Sequence, residues 1–366
     1  MIKRIKIKNF KCFSDIEFEL GNVNLLAGSN GCGKSSFIHA FLLLKQSVDQ
    51  GVNLGDLYLY GKYVDLGTAK EVICESAEED KIIICIENGE GECLTFAPKY
   101  EADKYILKAE RPAYNEILKV SRFNLFSSSF EYISAERITP QNIFSAISFE
   151  EELGKQGQNT ISFLEEQGLK LQVDSRLCVP GTKECDLLNQ VNAWLDLLFD
   201  GFKLNITTVA EADAVSLRYQ EQVENYVSIP HRAINVGFGI TYVLPVLVAL
   251  LKVQKDAFII VENPEAHLHP KAQRIMGEII LRSASVGAQI ILETHSDHIL
   301  NGIRIGVRKG IIQEPGQVKN FFFTRENIGM GYHVNVYAPE IDEEGNIDLW
   351  PEGFFDEWDK ALTELF

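Results

Sequence analysis

A glycine-rich segment near the amino terminus constrains the fold of this chain more than any other feature. The pattern GxxxxGK[ST], in which x is any residue, is matched by Gly28-Ser29-Asn30-Gly31-Cys32-Gly33-Lys34-Ser35. The segment is preceded by the apolar run VNLLAG and followed by SSFIHAFLLLKQSV, so a short strand leads into it and a buried helix leaves it. Its glycines let the backbone N–H groups point at a polyphosphate, and the helix N-terminus adds positive potential. The sequence therefore predicts a phosphate-binding loop.

Each residue type in this loop has a predicted task in a P-loop NTPase. Lys34 is expected to reach the β- and γ-phosphates, and the Ser35 hydroxyl is expected to hold Mg²⁺. The backbone around them is expected to cradle the phosphates. The predicted nucleotide contacts in this segment are Asn30, Gly31, Cys32, Gly33, Lys34, Ser35 and Ser36.

Hydrophobic patterns in the rest of the chain indicate an α/β protein. Residues 2–8 and 14–20 alternate charged and apolar side chains, which predicts two antiparallel strands. Residues 58–134 hold short apolar runs between turn residues, which indicates a β-rich lobe, and residues 136–200 have helical periodicity. The last third alternates helices with buried strands, as a parallel sheet requires. We therefore predict an N-terminal lobe with the P-loop (1–135), a helical or mixed insert (136–230) and a C-terminal lobe (231–366).

Two polar segments of the last third each follow a buried strand and complete the predicted site. The run FIIV ends at Glu262, an acid that could hold Mg²⁺ through water. The run QIIL is followed by Glu293-Thr294-His295-Ser296. Ligands of open α/β sheets bind beyond the carboxyl ends of the strands. We therefore expect Glu262 at the metal ion and His295 near the γ-phosphate.

The order of these motifs carries a family resemblance. The P-loop, then ENPEAHLHP, then ETHSDH resembles the ATP-binding-cassette (ABC) ATPases, in particular the bacterial branch similar to RecF and the overcoming-lysogenisation ATPases. The usual strings of that branch are EEPExxLHP and TTHS. The segment NVGFGIT at 235–241 resembles its degenerate signature motif, and DLWPEGFFD at 348–356 resembles the ending of an uncharacterised bacterial family often found near phage-defence genes. The resemblance covers both ends of the chain, and the middle third matches weakly.

The resemblance implies an ABC-ATPase head fold with a β-rich N-terminal lobe and a helical insert. It implies that Glu262 is the Walker B acid and that His295 is the switch histidine. In such ATPases two heads sandwich two ATP molecules, so ATP, Mg²⁺ and a homodimer are the expected ligands and assembly. The implied contacts to the γ-phosphate of the opposite subunit are Gly237, Phe238 and Gly239.

The chain departs from the family pattern at two positions. The usual catalytic glutamate directly after the Walker B acid is Asn263 here, and an amide cannot accept the proton of the attacking water. Glu265 could act as the base only if its loop turns it inward. The signature serine is replaced by Gly237, which removes one hydroxyl donor but leaves the backbone N–H groups of a helix start. The sequence therefore predicts secure ATP binding with slow hydrolysis.

Several single residues permit two interpretations. Arg137 and Gln141 fall about where ABC ATPases place a glutamine that touches Mg²⁺ and the water, and an ordinary helix entry fits them equally. His295 and His298 have a workable spacing for zinc on a helix, but no cluster of Cys or carboxylate residues completes such a site. Asp297 is expected to cap the helix that follows.

Composition restricts the compartment and the partners. No apolar stretch approaches the roughly 20 residues that a membrane span needs. The seven cysteines form no CxxC pair, which is typical of reduced thiols in the cytoplasm. The formal net charge of −17 gives no support to DNA binding, because DNA is held mainly by Lys and Arg. We therefore expect a cytoplasmic protein that contacts no membrane.

Three functions remain open from the sequence. The first is an ATPase whose ATP-held dimer regulates a separate effector, a nuclease or a toxin, in phage defence. The second is a compact RecF-like clamp for DNA repair, and the third is an ATP-binding scaffold that does not hydrolyse ATP. We expect any nuclease to be a separate polypeptide, because the segment after His295 is too short for a Toprim-like domain.

Overall fold

The computed structural model describes residues 1–51, 53–110, 117–146, 152–223, 226–312, 314–328 and 331–365. The strands in these residues are β1 (Ile2–Phe10), β2 (Phe13–Glu19), β3 (Val23–Gly28), β4 (Leu57–Tyr58), β5 (Ile83–Asn88), β6 (Cys93–Phe96), β7 (Ile106–Leu107), β8 (Phe130–Ile133), β9 (Ile143–Ser145), β10 (Phe202–Val209), β11 (Ala214–Val223), β12 (Tyr226–Val227), β13 (His231–Arg232), β14 (Phe258–Glu262), β15 (Gln289–Glu293), β16 (Val318–Ile328) and β17 (Gly331–Tyr337). The α-helices are α1 (Lys34–Gln50), α2 (Ala69–Val72), α3 (Ile117–Val120), α4 (Thr160–Gln167), α5 (Leu187–Phe199), α6 (Phe238–Leu251), α7 (Pro270–Ser285), α8 (Asp297–Arg308) and α9 (Glu357–Leu365).

The central sheet has the strand order β17-β16-β3-β15-β14-β8. All of its strands run parallel except β17, which pairs antiparallel with β16. Strands β14 and β15 have apolar runs, FIIV and QIIL, that are buried on both faces of the sheet. On β14, Ile259 and Val261 face one hydrophobic core, whereas Phe258 and Ile260 face the other. The carboxyl ends of five parallel strands therefore meet at one edge, as the alternating pattern predicted.

The first core lies between the central sheet and a four-stranded antiparallel sheet of order β2-β1-β5-β6. Helix α1 fills the space between the two sheets and is buried along most of its length. The ring of Phe37 on α1 lies 4.5 Å from the ring of Phe18 on β2 in an edge-to-face arrangement. The predictions of two antiparallel strands, a strand before the P-loop and a buried helix after it are confirmed.

The insert contains both helices and strands. Helices α4 and α5 confirm part of the helical prediction for residues 136–200, and residues 147–151 lie outside the described residues. The prediction is wrong at Ile143–Ser145, which forms β9 because it pairs antiparallel with β11. The division into three regions stays a prediction, since the central sheet takes strands from both the first and the third of them.

Two features fix the segment that leaves β15. Helix α8 begins with Ser296 as its cap, whose hydroxyl accepts the N–H of Ile299 at 3.2 Å, so the prediction of Asp297 as the cap is wrong by one residue. Helices α7 and α8 also approach closely at glycines. A Cβ atom on Gly302 would lie 2.2 Å from the carbonyl oxygen of Arg274.

None of the described helices is long and apolar enough to cross a membrane.

We predict that Gly302→Ala destabilises the protein, because the added methyl group forces α7 and α8 apart. Overpacking of this kind costs about 1–3 kcal/mol in the free energy of unfolding. Chemical denaturation followed by circular dichroism measures the change. The matched control is Gly316→Ala, where no atom lies within 4 Å of the added Cβ. Equal stability of the two variants would contradict the prediction.

Candidate functional site

The P-loop joins β3 to α1 at the carboxyl edge of the central sheet. The φ angles of Gly28, Gly31 and Gly33 are 137°, 78° and 107°. Residues other than glycine rarely adopt such values. A Cβ on Gly28 would also lie 2.3 Å from the carbonyl oxygen of Phe323 on β16. Helix α1 begins without a side-chain cap and without an acidic residue in its first turn. Its first N–H groups therefore remain available to an anion.

Lys34 is folded back over this loop and is almost completely buried. Its ammonium group donates to the carbonyl oxygens of Gly28 and Ser29, both at 2.9 Å. The same Nζ lies 3.6 Å from Oε1 of Glu293. Cys32 is buried inside the loop, where its thiol donates to the carbonyl oxygen of Ser29 at 2.6 Å. Lys34 must exchange these partners to meet a phosphate.

A cavity of about 960 Å³ opens in front of the P-loop. It is lined by predicted nucleotide contacts and by side chains that the sequence analysis missed, among them Lys11, Lys70 and His333. Lys11 follows β1, and its Nζ lies 2.6 Å from Nδ1 of His39. Burial lowers the pKa of both side chains, that of His39 to about 4. The basic character of the first eleven residues was the available signal for Lys11.

The Walker B acid of the predicted site lies at the end of β14. Oε1 of Glu262 accepts the hydroxyl of Tyr132 at 2.9 Å, and Oε2 accepts the N–H of Ala135 at 3.3 Å. Burial raises the pKa of Glu262, and these two hydrogen bonds oppose the shift. On the neighbouring strand, burial raises the pKa of Glu293 to about 7 against the opposing charge of Lys34. Two acids thus lie side by side at this edge of the sheet.

The residue after Glu262 adopts a left-handed conformation, with φ of 46° at Asn263. Its N–H donates to the main-chain oxygen of Glu293 at 2.9 Å, which ties the ends of β14 and β15 together. Its carbonyl oxygen accepts Nη2 of Arg137 at 3.1 Å, and Arg137 also donates to the main-chain oxygens of Glu262 and Tyr242. The buried guanidinium of Arg137 therefore holds the loop after β14 in position.

Glu265 lies against the segment that carries the predicted switch histidine. Its Oε2 accepts the hydroxyl of Thr294 at 2.8 Å, and its Oε1 accepts the N–H of His295 at 2.7 Å. Partial burial and the charge of Lys34 lower the pKa of His295, which favours the neutral imidazole. The structure thus brings Glu262, Glu265, His295 and Lys34 to one region. The role of Glu265 as the base stays a prediction.

The signature-like segment starts α6, with Gly237 as its N-cap. The side chain of Phe238 is 55% exposed, and its ring lies 6.0 Å from that of His267. A Cβ on Gly239 would lie 2.5 Å from the carbonyl oxygen of His267, so this segment packs closely on the loop after β14. Among the described residues that line the P-loop cavity, none belongs to this segment.

Gln141 is another predicted contact that does not line the cavity, and neither Cys32 nor Arg137 lines it. It is exposed and lies just before β9. The next residue, Asn142, accepts the N–H of Leu217 on β11 through its carbonyl oxygen at 3.1 Å. The pairing of this segment with β11 therefore keeps Gln141 out of the P-loop cavity. No group of three or more His, Cys, Asp or Glu side chains in the described ranges could hold a metal ion.

Residues 23–301 match the protein family described as "AAA domain, putative AbiEii toxin, Type IV TA system". The chain belongs to this family. It is an ABC-type P-loop ATPase, and membership of the AAA family implies nucleotide binding, typically with Mg²⁺, and ATP hydrolysis. The predicted α/β P-loop fold of the ABC head type is confirmed by this match and by the position of the loop between β3 and α1. Residues 314–365 match "Protein of unknown function (DUF3696)".

Individual relatives of this AAA-family chain are distant. The OLD nuclease of Thermus scotoductus is 20% identical over 327 residues, and the match covers 81% of this chain but only 59% of the nuclease. The DNA double-strand break repair Rad50 ATPase of Archaeoglobus fulgidus is 51% identical over 45 residues, which are 12% of this chain and 5% of Rad50. Among solved structures, the SMC head domain of Thermotoga maritima has 12% identity and a TM-score of 0.49, with 92% of this chain and 98% of that domain covered.

We predict that Tyr132→Phe weakens the use of Mg²⁺, because Glu262 loses the hydroxyl that holds one of its oxygens. Loss of such a supporting hydrogen bond typically lowers metal affinity 10- to 100-fold. Titration of Mg²⁺ in an ATP hydrolysis assay should show a half-maximal concentration about tenfold higher than that of the native protein. Tyr337→Phe, far along the edge strand β17, is the control. An unchanged titration curve for Tyr132→Phe would disprove this support of Glu262.

Proposed function

We propose that this chain binds ATP with Mg²⁺ in the P-loop cavity and hydrolyses it slowly. The observation that carries the proposal is the meeting of Lys34, Ser35 and Glu293 in one cavity, with Glu262 on the adjacent strand. Lys34 supplies the charge for the β- and γ-phosphates, and the free N–H groups at the start of α1 bind phosphate oxygens.

The residues expected to hold Mg²⁺ fit that ion. Ser35 lines the cavity and offers its hydroxyl. Glu262, in register with the cavity-lining Glu293, offers a carboxylate to waters of the ion. Both are hard oxygen donors, the kind that Mg²⁺ prefers. Tyr132 and Ala135 fix the orientation of the Glu262 carboxylate. When bound, the ion would neutralise part of the negative charge of the phosphates.

The slow rate follows from the residue after Glu262. Asn263 has an amide that cannot accept a proton, and its side-chain oxygen is buried without a hydrogen-bond partner in the described residues. Glu265 has both carboxylate oxygens engaged by the segment at Thr294 and His295. We therefore expect turnover below about one per second, the low end of the usual range for enzymes.

The working assembly in this proposal is a homodimer held by ATP. Gly237–Gly239 lies exposed at a helix N-terminus, outside the cavity formed by the P-loop of its own subunit. A helix N-terminus with free N–H groups suits a γ-phosphate. A second copy can place this segment over the open side of the cavity, so each site would be completed by its partner.

The proposed task of the dimer is to regulate a separate effector, a nuclease or a toxin, in phage defence. The match to a family described by a toxin–antitoxin term and the distant similarity to OLD nuclease support an effector of this kind. The acidic segment of residues 340–366 presents the exposed aromatic side chains of Trp350 and Trp358. Such side chains dominate the energy of many interfaces, and the surrounding charge favours a basic partner.

A second candidate is a DNA-repair ATPase, which the 45-residue similarity to Rad50 favours. The net charge of −17 opposes it. Addition of double-stranded DNA to the hydrolysis assay separates the two, because a repair ATPase should be stimulated and an effector regulator should not.

We predict that Lys34→Ala strongly weakens ATP binding. The loss of one or two charge-assisted hydrogen bonds to phosphate lowers the affinity about 10- to 100-fold or more. Isothermal titration with Mg²⁺ and ATP measures it, with Lys183→Ala in the insert as the control. Full affinity in Lys34→Ala would refute the site. Tight binding without measurable phosphate release by the native protein would identify a scaffold instead of an enzyme.

We also predict that Phe238→Asp prevents ATP-dependent dimerisation while each subunit still binds ATP. The substitution puts a negative charge beside the γ-phosphate of the opposite subunit without touching the P-loop of its own. Light scattering after size exclusion, with and without Mg²⁺ and ATP, measures the change in mass. A native protein that dimerises with ATP and a variant that does so equally well would exclude this segment from the interface.

A further inference from the structure

Glu293 lies between the two halves of the nucleotide site. Its strand β15 pairs with β3 on one side and β14 on the other, so that Glu293 is in register with Leu26 and with Glu262. The side chain is only 8% exposed, yet it lines the P-loop cavity. Its Oε1 lies 3.6 Å from Nζ of Lys34. Glu293 is therefore the acidic side chain placed directly beside the lysine that binds phosphate.

The other acids of the site are engaged elsewhere. Each oxygen of Glu262 accepts a hydrogen bond, from Tyr132 and from Ala135. Both oxygens of Glu265 accept hydrogen bonds from the segment after β15, and Glu265 does not line the cavity. Asn263 is an amide.

Glu71 and Glu75 also line the cavity, and Glu71 accepts both the N–H and the hydroxyl of Thr68. Of the acids that line it, Glu293 is the one paired with Lys34 in the described residues. The carboxylate in the position to meet the reacting phosphate is thus that of Glu293.

We infer that Glu293 is the catalytic base of this chain. It takes the role of the glutamate that is usual at the position of Asn263. The inference rests on the proposed function, because it assigns a residue to ATP hydrolysis in the same cavity. Lys34 reaches the β- and γ-phosphates, so a carboxylate 3.6 Å from its ammonium group lies within reach of a water molecule beside the γ-phosphate. Binding of ATP draws Lys34 to the phosphates and frees Glu293 for that water.

The chemical step is a hydrolysis. The oxygen of the water forms a bond to the γ-phosphorus while the bond from that phosphorus to the β–γ bridging oxygen breaks, and its electron pair stays with ADP. One proton of the water passes to the carboxylate of Glu293 and is then released to phosphate or solvent. The products are ADP and inorganic phosphate, and neither an oxidant nor a reductant is needed.

The test is Glu293→Gln, which keeps the size of the side chain and removes its basicity. We expect the rate of phosphate release to fall at least about 100-fold, the usual worth of a general base. The affinity for ATP with Mg²⁺ should stay within a few-fold of the native value, and the ATP-held dimer should persist longer. Glu211→Gln, an exposed acid in the insert, is the matched control for both measurements.

Two further variants separate this role from a structural one. Asn263→Glu in the Glu293→Gln background returns a carboxylate to the usual position and should restore part of the rate. Glu293→Asp keeps the acid but shortens its reach, and it should lose less activity than Glu293→Gln. If Glu293 served only to hold Lys34 before ATP arrives, Glu293→Gln would change the affinity and leave the rate constant intact.

The outcomes distinguish the two proposals. If the native protein fails to bind ATP, the proposed function is wrong, and the assignment of Glu293 falls with it. If the native protein and Glu293→Gln hydrolyse ATP at the same rate, Glu293 is not the base. The proposed ATPase function is then still supported. Loss of activity in Glu265→Gln together with retained activity in Glu293→Gln would return the role of base to Glu265.

Discussion

The parallel register of β3, β15 and β14 is the constraint on which the nucleotide site depends. Glu293 is paired with Leu26 and with Glu262, so the two acids end adjacent strands at the same level. Both acids are on the face of the sheet that Ile260 and Ile291 share with α1. Since side chains alternate between faces, a slip of one residue in β15 would turn Glu293 away from the P-loop. The backbone pairing therefore decides which side chains meet Lys34.

This register also creates an electrostatic cost that a nucleotide can relieve. Lys34 and Glu293 are both nearly buried, and removing such charges from water costs several kcal/mol for each ion. Burial is the main cause that raises the pKa of Glu293, and the negative charge of Glu262 on the neighbouring strand raises it further. A triphosphate with its metal ion brings both signs of charge to the cavity. It can satisfy Lys34 and the acids together, which the resting arrangement does only in part.

The sequence predicted what is local and missed what depends on strand order. The P-loop could be found because its residues and their flanking strand and helix are contiguous. Glu293 was visible only as a polar residue at the end of a strand, since its contact with Lys34 joins positions far apart in the chain. Arg137 fitted either a contact with the nucleotide site or an ordinary helix entry, and in the structure its guanidinium donates to three main-chain oxygens. Gln141 lies just before β9, whose pairing with β11 joins positions about 70 residues apart, and no local pattern could show that pairing.

The contacts around the signature-like segment link the surface of the subunit to the loop after β14. The ring of Phe238 lies against His267, and His267 belongs to the same loop as Asn263 and Glu265. Glu265 in turn holds His295 by its N–H.

Arg137 adds a second connection, because one guanidinium bonds the carbonyl oxygen of Tyr242 on α6 and those of Glu262 and Asn263. Helix α6 and the Walker B loop therefore cannot shift relative to each other without breaking buried hydrogen bonds, which are expensive to leave unmade. Helix α6 is thus joined to the loop after β14 both by the ring contact of Phe238 with His267 and by the hydrogen bonds of Arg137.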